Sequence, residues 1–272
     1  MNTTPDPNST VYPNTYENEA KGIRIFPGHW RPHYVWEHIA WISPPWPSQD
    51  YIWLDFPEAV FTNQGLIYLS HINPQVESVY RHLPPLTWAV SDNGLFYERH
   101  LPNQIALSGH IWKRQENIVG LELTIRNHSS KTLADISLQT CAFLRAIREF
   151  ADYTRDNKLV HTEKEGWVSL SHAMDMADED APYRVGWRTR GKRVADKPVI
   201  ATISNRAKRF LAFTWGIHTL SLIGNPNHPC AHADPFFPEI PPGEKYSIGG
   251  LIGFFEGDPF NWSCDEFVKQ IR

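Results

Sequence analysis

The plainest pattern along the chain is strict alternation. Within 117–127, Val119, Leu121, Leu123 and Ile125 alternate with Gly120, Glu122, Thr124 and Arg126. That two-residue period belongs to a strand with one buried and one wet face. Residues 127–132, Asn-His-Ser-Ser-Lys-Thr, carry turn chemistry. Leu133, Ile136, Leu138 and Thr140 then open a second strand that runs into Cys141–Leu144. Shorter apolar and aromatic runs at 51–56, 66–72, 86–90, 94–101, 199–204, 209–217 and 219–224 also read as strands. A turn followed by a strand occupies 241–257, and Pro, Gly or Asn-Gly cuts the runs apart. Residues 146–159 read as one helical turn or a long loop. Only 265–272 reads as a helix, with Ser263 as its cap. Many short strands without alternating helices predict an all-β antiparallel β-sandwich over 21–272, closed by a short C-terminal helix. Residues 1–20, rich in Pro, Asn and Thr, predict a flexible leader.

Composition narrows the function. At 272 residues the chain is long enough to bury a full core without staples. Lys plus Arg total 26 against 30 Asp plus Glu, a net charge of −4, which argues against a globally basic nucleic-acid binder. Three cysteines, Cys141, Cys230 and Cys264, are too few and too scattered for a disulfide scaffold. The chain has neither a basic-then-apolar leader nor an apolar run of membrane length, so a cytoplasmic protein without a membrane partner is expected. Gly-rich phosphate loops, a nucleophile elbow, HExxH and paired CxxC are all missing, and no cofactor is called for. Eleven Trp and thirteen His stand out instead.

Four clusters carry candidate chemistry. In His228-Pro229-Cys230-Ala231-His232-Ala233-Asp234 an extended backbone puts His228, Cys230, His232 and Asp234 on one face. A carboxylate beside an imidazole orients it and raises its basicity. Three nearby prolines (Pro226, Pro229 and Pro235) argue against a regular central strand here. A structural brace and a divalent-metal site on His228 and His232 are the alternatives. The second cluster, His29 to Trp46, holds Trp30, Trp36, Trp41 and Trp46 within 17 residues, with His33, His38 and Glu37. Indoles stack on the apolar faces of sugar rings, so Trp36, Trp41, Trp46 and His38 are candidate binding residues, against the alternative of core packing. Asp55 and Glu58 form a third cluster, carboxylates in an apolar run, with Glu256 as a distant candidate partner and His71 at a strand end. The fourth is a basic strip over 184–209 with Trp187 and Arg184, following acidic residues at 175–180. It suits an anionic ligand or, equally, two loops paired with each other. Arg145, Asp156, Asn157 and Lys158 add a polar group after an apolar strand, with Tyr153 and Arg155 beside it as a proton donor and a carboxylate clamp.

Two stretches, Val119–Leu144 and Ile240-Pro241-Pro242-Gly243-Glu244 followed by 246–255, resemble parts of the galactose-mutarotase-like β-supersandwich found in sugar epimerases and in lyase and hydrolase domains. The resemblance covers about a third of the chain and transfers no catalytic residue. His232-Ala233-Asp234-Pro235 and Phe254-Phe255-Glu256-Gly257 are also similar to the ends of uncharacterised bacterial proteins, which supplies no activity. The residues predict a carbohydrate-active enzyme that removes a proton from a sugar ring, of uronate lyase or epimerase type. Its ligand would be a mono- or oligosaccharide, acidic if the basic strip contributes. In this reading His232, held by Asp234, is the base and His71 or Tyr153 the acid. Arg145 or Arg184 neutralises a carboxylate. Trp187, Asn157, Lys158 and Glu256 complete the binding set. The competing readings are a non-catalytic sugar-binding module, a metal-dependent enzyme and a glycoside hydrolase.

Overall fold

Alternation places the apolar set of 118–127 inward, and each long strand repeats the device. The computed structural model describes residues 21–29, 35–71, 83–101 and 103–271, so the leader and Trp30–Tyr34 lie outside the described residues. In chain order the strands are β1 (Ile25–Pro27), β2 (Ile39–Ile42), β3 (Ile52–Thr62), β4 (Gly65–Leu69), β5 (Ala89–Ser91), β6 (Gly94–Leu101), β7 (Ile105–Lys113), β8 (Ile118–Asn127), β9 (Ser137–Phe143), β10 (Lys158–Thr162), β11 (Gly166–Ser169), β12 (Tyr183–Val185), β13 (Lys192–Ala195), β14 (Val199–Ile203), β15 (Arg209–Thr214), β16 (Thr219–Gly224), β17 (Cys230–Pro235) and β18 (Lys245–Glu256). Helices α1 (Leu170–Asp175) and α2 (Asp265–Val268) are short.

The strands form two nine-stranded sheets. One runs β1-β2-β3-β9-β17-β16-β12-β13, with β4 also paired to β3; the other runs β11-β10-β14-β15-β18-β8-β7-β6-β5. Pairing is antiparallel except between β12 and β16. The long ladders β6–β7–β8–β18 hold register without a slip, Leu107 facing Ile125 and Leu123 facing Ile248. Inward residues of the first sheet (Leu54, Phe56, Leu138, Ala142, Ala231, Leu222) meet those of the second (Ile111, Leu121, Leu123, Phe213, Ile252, Phe254) in one core. Each such large side chain contributes about 1.5–3 kcal/mol of burial. The predicted all-β antiparallel sandwich is what the chain forms.

Two expectations at the level of elements change. The prolines do not exclude a central strand at 230–235: β17 lies between β9 and β16, with Pro229 just before it and Pro235 at its end, where few ladder donors are lost. The terminal helix is only Asp265–Val268, with Cys264 rather than Ser263 at its cap position. Its segment is anchored by side chains: Cys264 and Phe267 pack on Trp167, Phe210 and Leu251 on the outer face of the second sheet. Helix α1, too short for a readable period, is capped by Ser169 Oγ, which accepts from His172 N–H at 3.2 Å. Within 146–159 there is one 3₁₀ turn, Arg148–Phe150. Among the described residues, no helix is long and apolar enough to cross a membrane.

Candidate active site

The face of the first sheet turned away from the core carries the chemistry. Alternation sends Leu54, Ala142, Ala231 and Ala233 inward and their neighbours outward. Register then lines those neighbours up in rows. Asp55 faces Cys141, Cys141 faces His232 and His232 faces Ile223. In the next row Trp53 faces Phe143, which faces Cys230. Cys141, Phe143 and Cys230 form an apolar cluster of their own, with Trp53 against it.

A bulge adds the residue that simple alternation would hide. Asp55 pairs with Cys141 but Ala59 with Gln139, so β3 spends four residues where β9 spends two. The shift turns Glu58 to the same side as Asp55, and bulges commonly re-aim a side chain at a functional site in this way. Ser70 locks the neighbouring strand end: its N–H donates to Glu58 O at 2.7 Å and its hydroxyl to Asp55 Oδ2 at 2.6 Å. His71 follows directly, with Nδ1 3.4 Å from Glu58 Oε1.

Glu58, His71, His228 and His232 line two adjoining hollows. The outer cleft, about 700 Å³, is also bounded by Phe61, Gln139, Arg155, Trp187, Asn225 and Asn227. The inner hollow, about 190 Å³, reaches Trp53, Asp55, Cys141 and Phe143. Two buried polar atoms of the lining have no hydrogen bond, Glu58 Oε2 and His232 Nδ1, and neither do Asp234 Oδ2 and Ser221 Oγ, which face each other across β17 and β16 next to His232. Such atoms cost free energy unless a ligand or reaction uses them.

Electrostatics are coupled. Burial raises the Glu58 carboxyl above its ordinary range against the pull of His232. Burial likewise raises Asp234, whose Oδ1 accepts the Thr140 N–H at 3.0 Å. Burial works against charge on His232, but Cys230 and Asp234 outweigh it and raise the imidazole. The Cys141 S–H and then His232 draw the Cys230 thiol downward; donating to Cys230 raises Cys141 in turn. His232 Nδ1 stands 3.4 Å from Asp234 Oδ1, an ion-pair distance without a formed hydrogen bond.

Of the residues singled out in the sequence, His71, Trp187, His228 and His232 line the cleft, and Asp234 stands 3.4 Å from His232. The structure sets others elsewhere. Trp36 and Trp46 belong to the core, so the expected wall of indoles at 36–46 does not exist; Trp46 donates Nε1–H to Glu149 at 2.8 Å. Trp41 stacks on Trp53 at 6.3 Å, outside both hollows. His38 is fully buried between two tyrosines. Tyr153 is 55% exposed and Arg145 is exposed, and neither lines the cleft. Arg184 donates to Gly191 O at 2.9 Å. Lys158 is a buried brace, its Nζ on Thr154 O and Asn157 Oδ1. Glu256 pairs with Arg209 at 3.3 Å on the second sheet and lines neither hollow. Much of the basic strip is engaged within the fold: the Arg193 guanidinium meets Asp180 at 3.7 Å and donates to Ala181 O, Lys192 Nζ donates to the carbonyls of Met174 and Met176, and Lys197 pairs with Asp265. Arg155 lines the cleft in place of Arg145, held by its Nε–H on Gly224 O at 3.0 Å.

No family model matches the chain, and no curated protein does. Among solved structures, a GalM/aldose epimerase homologue from C. elegans is similar over 88% of this chain and 100% of its own, with TM-score 0.37 and 8% identity. A galactose 1-epimerase from Lactobacillus acidophilus NCFM covers the same shares with TM-score 0.32 and 10% identity. The weak fold-level resemblance noted in the sequence is therefore also found among structures, and it extends no further than the fold.

Proposed function

We propose that the cleft is the acid–base site of an enzyme acting on a sugar ring, of epimerase or lyase type. The observation that carries this reading is Glu58: a half-buried carboxylate whose Oε2 is buried without a partner and whose Oε1 stands 3.4 Å from His71, in a hollow shared with His228 and His232. A carboxyl raised by burial and standing beside an imidazole is suited to passing a proton. Glu58 and His71 come from β3 and the end of β4, on one side of β9, while His228 and His232 come from the β17 side. A ring lying over β9 would meet proton-exchanging groups on both flanks. The base role moves from His232 to His71 with Glu58, because the His71 side chain is 29% exposed against 7% for His232.

The sugar reading rests on the lining. Gln139, Asn225 and Asn227 supply amides for hydroxyls, and half-exposed Trp187 offers a ring face. Arg155 is the cation placed to meet a carboxylate, which would favour an acidic sugar and stabilise charge developing after proton loss.

The test is turnover of a panel of neutral and acidic mono- and oligosaccharides in D₂O. It follows deuterium entering ring C–H positions by NMR and the absorbance of unsaturated products. His71→Ala and Glu58→Gln should each lower turnover by about 10²–10⁴-fold while circular dichroism stays native. Wild-type protein that binds sugars without exchange, elimination or hydrolysis would reduce the cleft to a binding module. Variants with unchanged turnover would remove these two residues from the mechanism.

A further inference from the structure

Beneath the cleft lies a second arrangement that proton transfer alone leaves unexplained. Cys141 Sγ, Cys230 Sγ and a ring nitrogen of His232 lie within 4.8 Å of one another, and all three residues are buried. Register makes the cluster: His232 sits opposite Cys141, and Cys230, two residues back along β17, lies on the same face diagonal to it. Trp53 and Phe143 pack against the thiols.

We propose that Cys141, Cys230 and His232 bind one zinc ion, with a fourth coordination position open to the inner hollow. Two thiolates and an imidazole form a soft donor set that suits zinc, and the thiolates balance its charge. Zinc bonds of about 2.3 Å to sulfur and about 2.0 Å to nitrogen require ligand atoms somewhat closer than the observed spread, a contraction within reach of side-chain rotation. Three protein ligands with one position left over is the pattern of a catalytic rather than a structural zinc. The surroundings supply a support for the imidazole. Asp234 faces His232 Nδ1 at 3.4 Å and is itself fixed by the Thr140 N–H. A carboxylate behind a ligating histidine leaves Nε2 as the ligand atom. The hollow of about 190 Å³, lined by Cys141 and His232 together with Glu58, His71 and His228, has room for a water at the fourth position and joins that position to the proposed proton-transfer pair. His228 stands outside this ligand group: it is exposed, its Nε2 faces Asn225 Nδ2 at 2.8 Å, and it hydrogen-bonds Cys230, so it braces a ligand and does not supply the fourth.

This inference deepens the reading of the same cleft, but its test does not depend on any sugar. The full chain, purified under reducing conditions without chelator, should carry about one zinc per molecule by elemental analysis. Replacing zinc with Co(II) should give thiolate-to-metal charge-transfer absorption and intense tetrahedral bands in the visible. Adding imidazole should shift those bands. Cys141→Ser and Cys230→Ser should lose the charge-transfer signal. Cys264→Ser, altered in the separate cluster around Phe267, should keep it, and so should His228→Ala. The wild-type cobalt spectrum makes the test independent of whether the cysteine variants fold. Reduced protein that takes up neither metal, a cobalt spectrum without thiolate character, or a Cys141–Cys230 disulfide in freshly purified protein would overturn the site. Bands unmoved by imidazole would overturn the open position. Metal content is read without turnover, and the His71 and Glu58 variants are read by turnover, so either reading can fail alone.

Discussion

His38 shows how a single side chain constrains the molecule. Its ring is stacked between Tyr68 and Tyr97, each 4.4 Å away and within 17° of parallel, and neither ring nitrogen has a hydrogen bond. Burial and then Arg99 push its pKa well below the usual value near 6.5. The folded state therefore holds His38 neutral while the unfolded chain accepts a proton. Its contribution is complete above about 6.5 and is lost as pH falls below that value. H38F should keep the stack without the titration, so its denaturation midpoint should fall less than that of the wild type between pH 7 and 5. Lys158 has the same sign at the other end of the scale. Burial lowers its ammonium to about 8. Between about 8 and 10.5 the folded protein sheds this proton while the unfolded chain keeps it, so stability attributable to Lys158 rises with pH. K158M should lack that rise, and the wild-type-minus-variant stability should shift by about 1–3 kcal/mol from pH 7.5 to pH 10.5 in urea titrations. The identity of both residues as polar was plain in the sequence. Their placement was not, because Lys158 lies in a stretch that reads as a helical turn or loop and His38 in an aromatic cluster, and burial at both depends on partners far along the chain.

Elements were legible where alternation is long. Val119 to Ile125 gave the inward face of β8 directly, and the extended reading of 228–234 gave the shared face of Cys230, His232 and Asp234. Legibility failed where geometry departs from period two. The bulge in β3 brings Glu58 to the cleft, and no local pattern announces a bulge; the only signal was a carboxylate in an apolar run. The indoles of 36–46 misled because a tryptophan serves a core as readily as a binding wall. Asn127, at the end of β8, shows what a turn residue can do when buried. Its Nδ2 donates to Lys131 O at 2.7 Å and to Ile240 O at 2.8 Å, and its Oδ1 accepts from Ser129. This ties the 127–132 turn to the segment entering β18. Asn127→Ala should cost about 2–3 kcal/mol, seen as a lower urea midpoint with an unchanged slope.

At the scale of the molecule, the sandwich leaves the outer face of each sheet in need of cover. The second sheet is covered partly by its own C-terminus: Phe267 meets Phe255 edge-on at 5.4 Å, and Trp262 stacks on Trp167 at 5.6 Å. Phe267→Ala should cost about 3–5 kcal/mol and raise binding of a hydrophobic dye, although α2 itself is barely one turn. The first sheet leaves its outer face open as the cleft. Its key groups lie at 55–58, 71, 141 and 228–234, so adjacent rows are stitched from segments about ninety positions apart in the polypeptide. Contacts of such long sequence separation close slowly, after local hairpins have formed. The cavity therefore cannot exist in a nascent or partly assembled chain. Trp53 of β3, paired with Phe143 of β9 and packed on Cys230 of β17, acquires its surroundings only when those distant segments have met, at the moment the protein becomes competent.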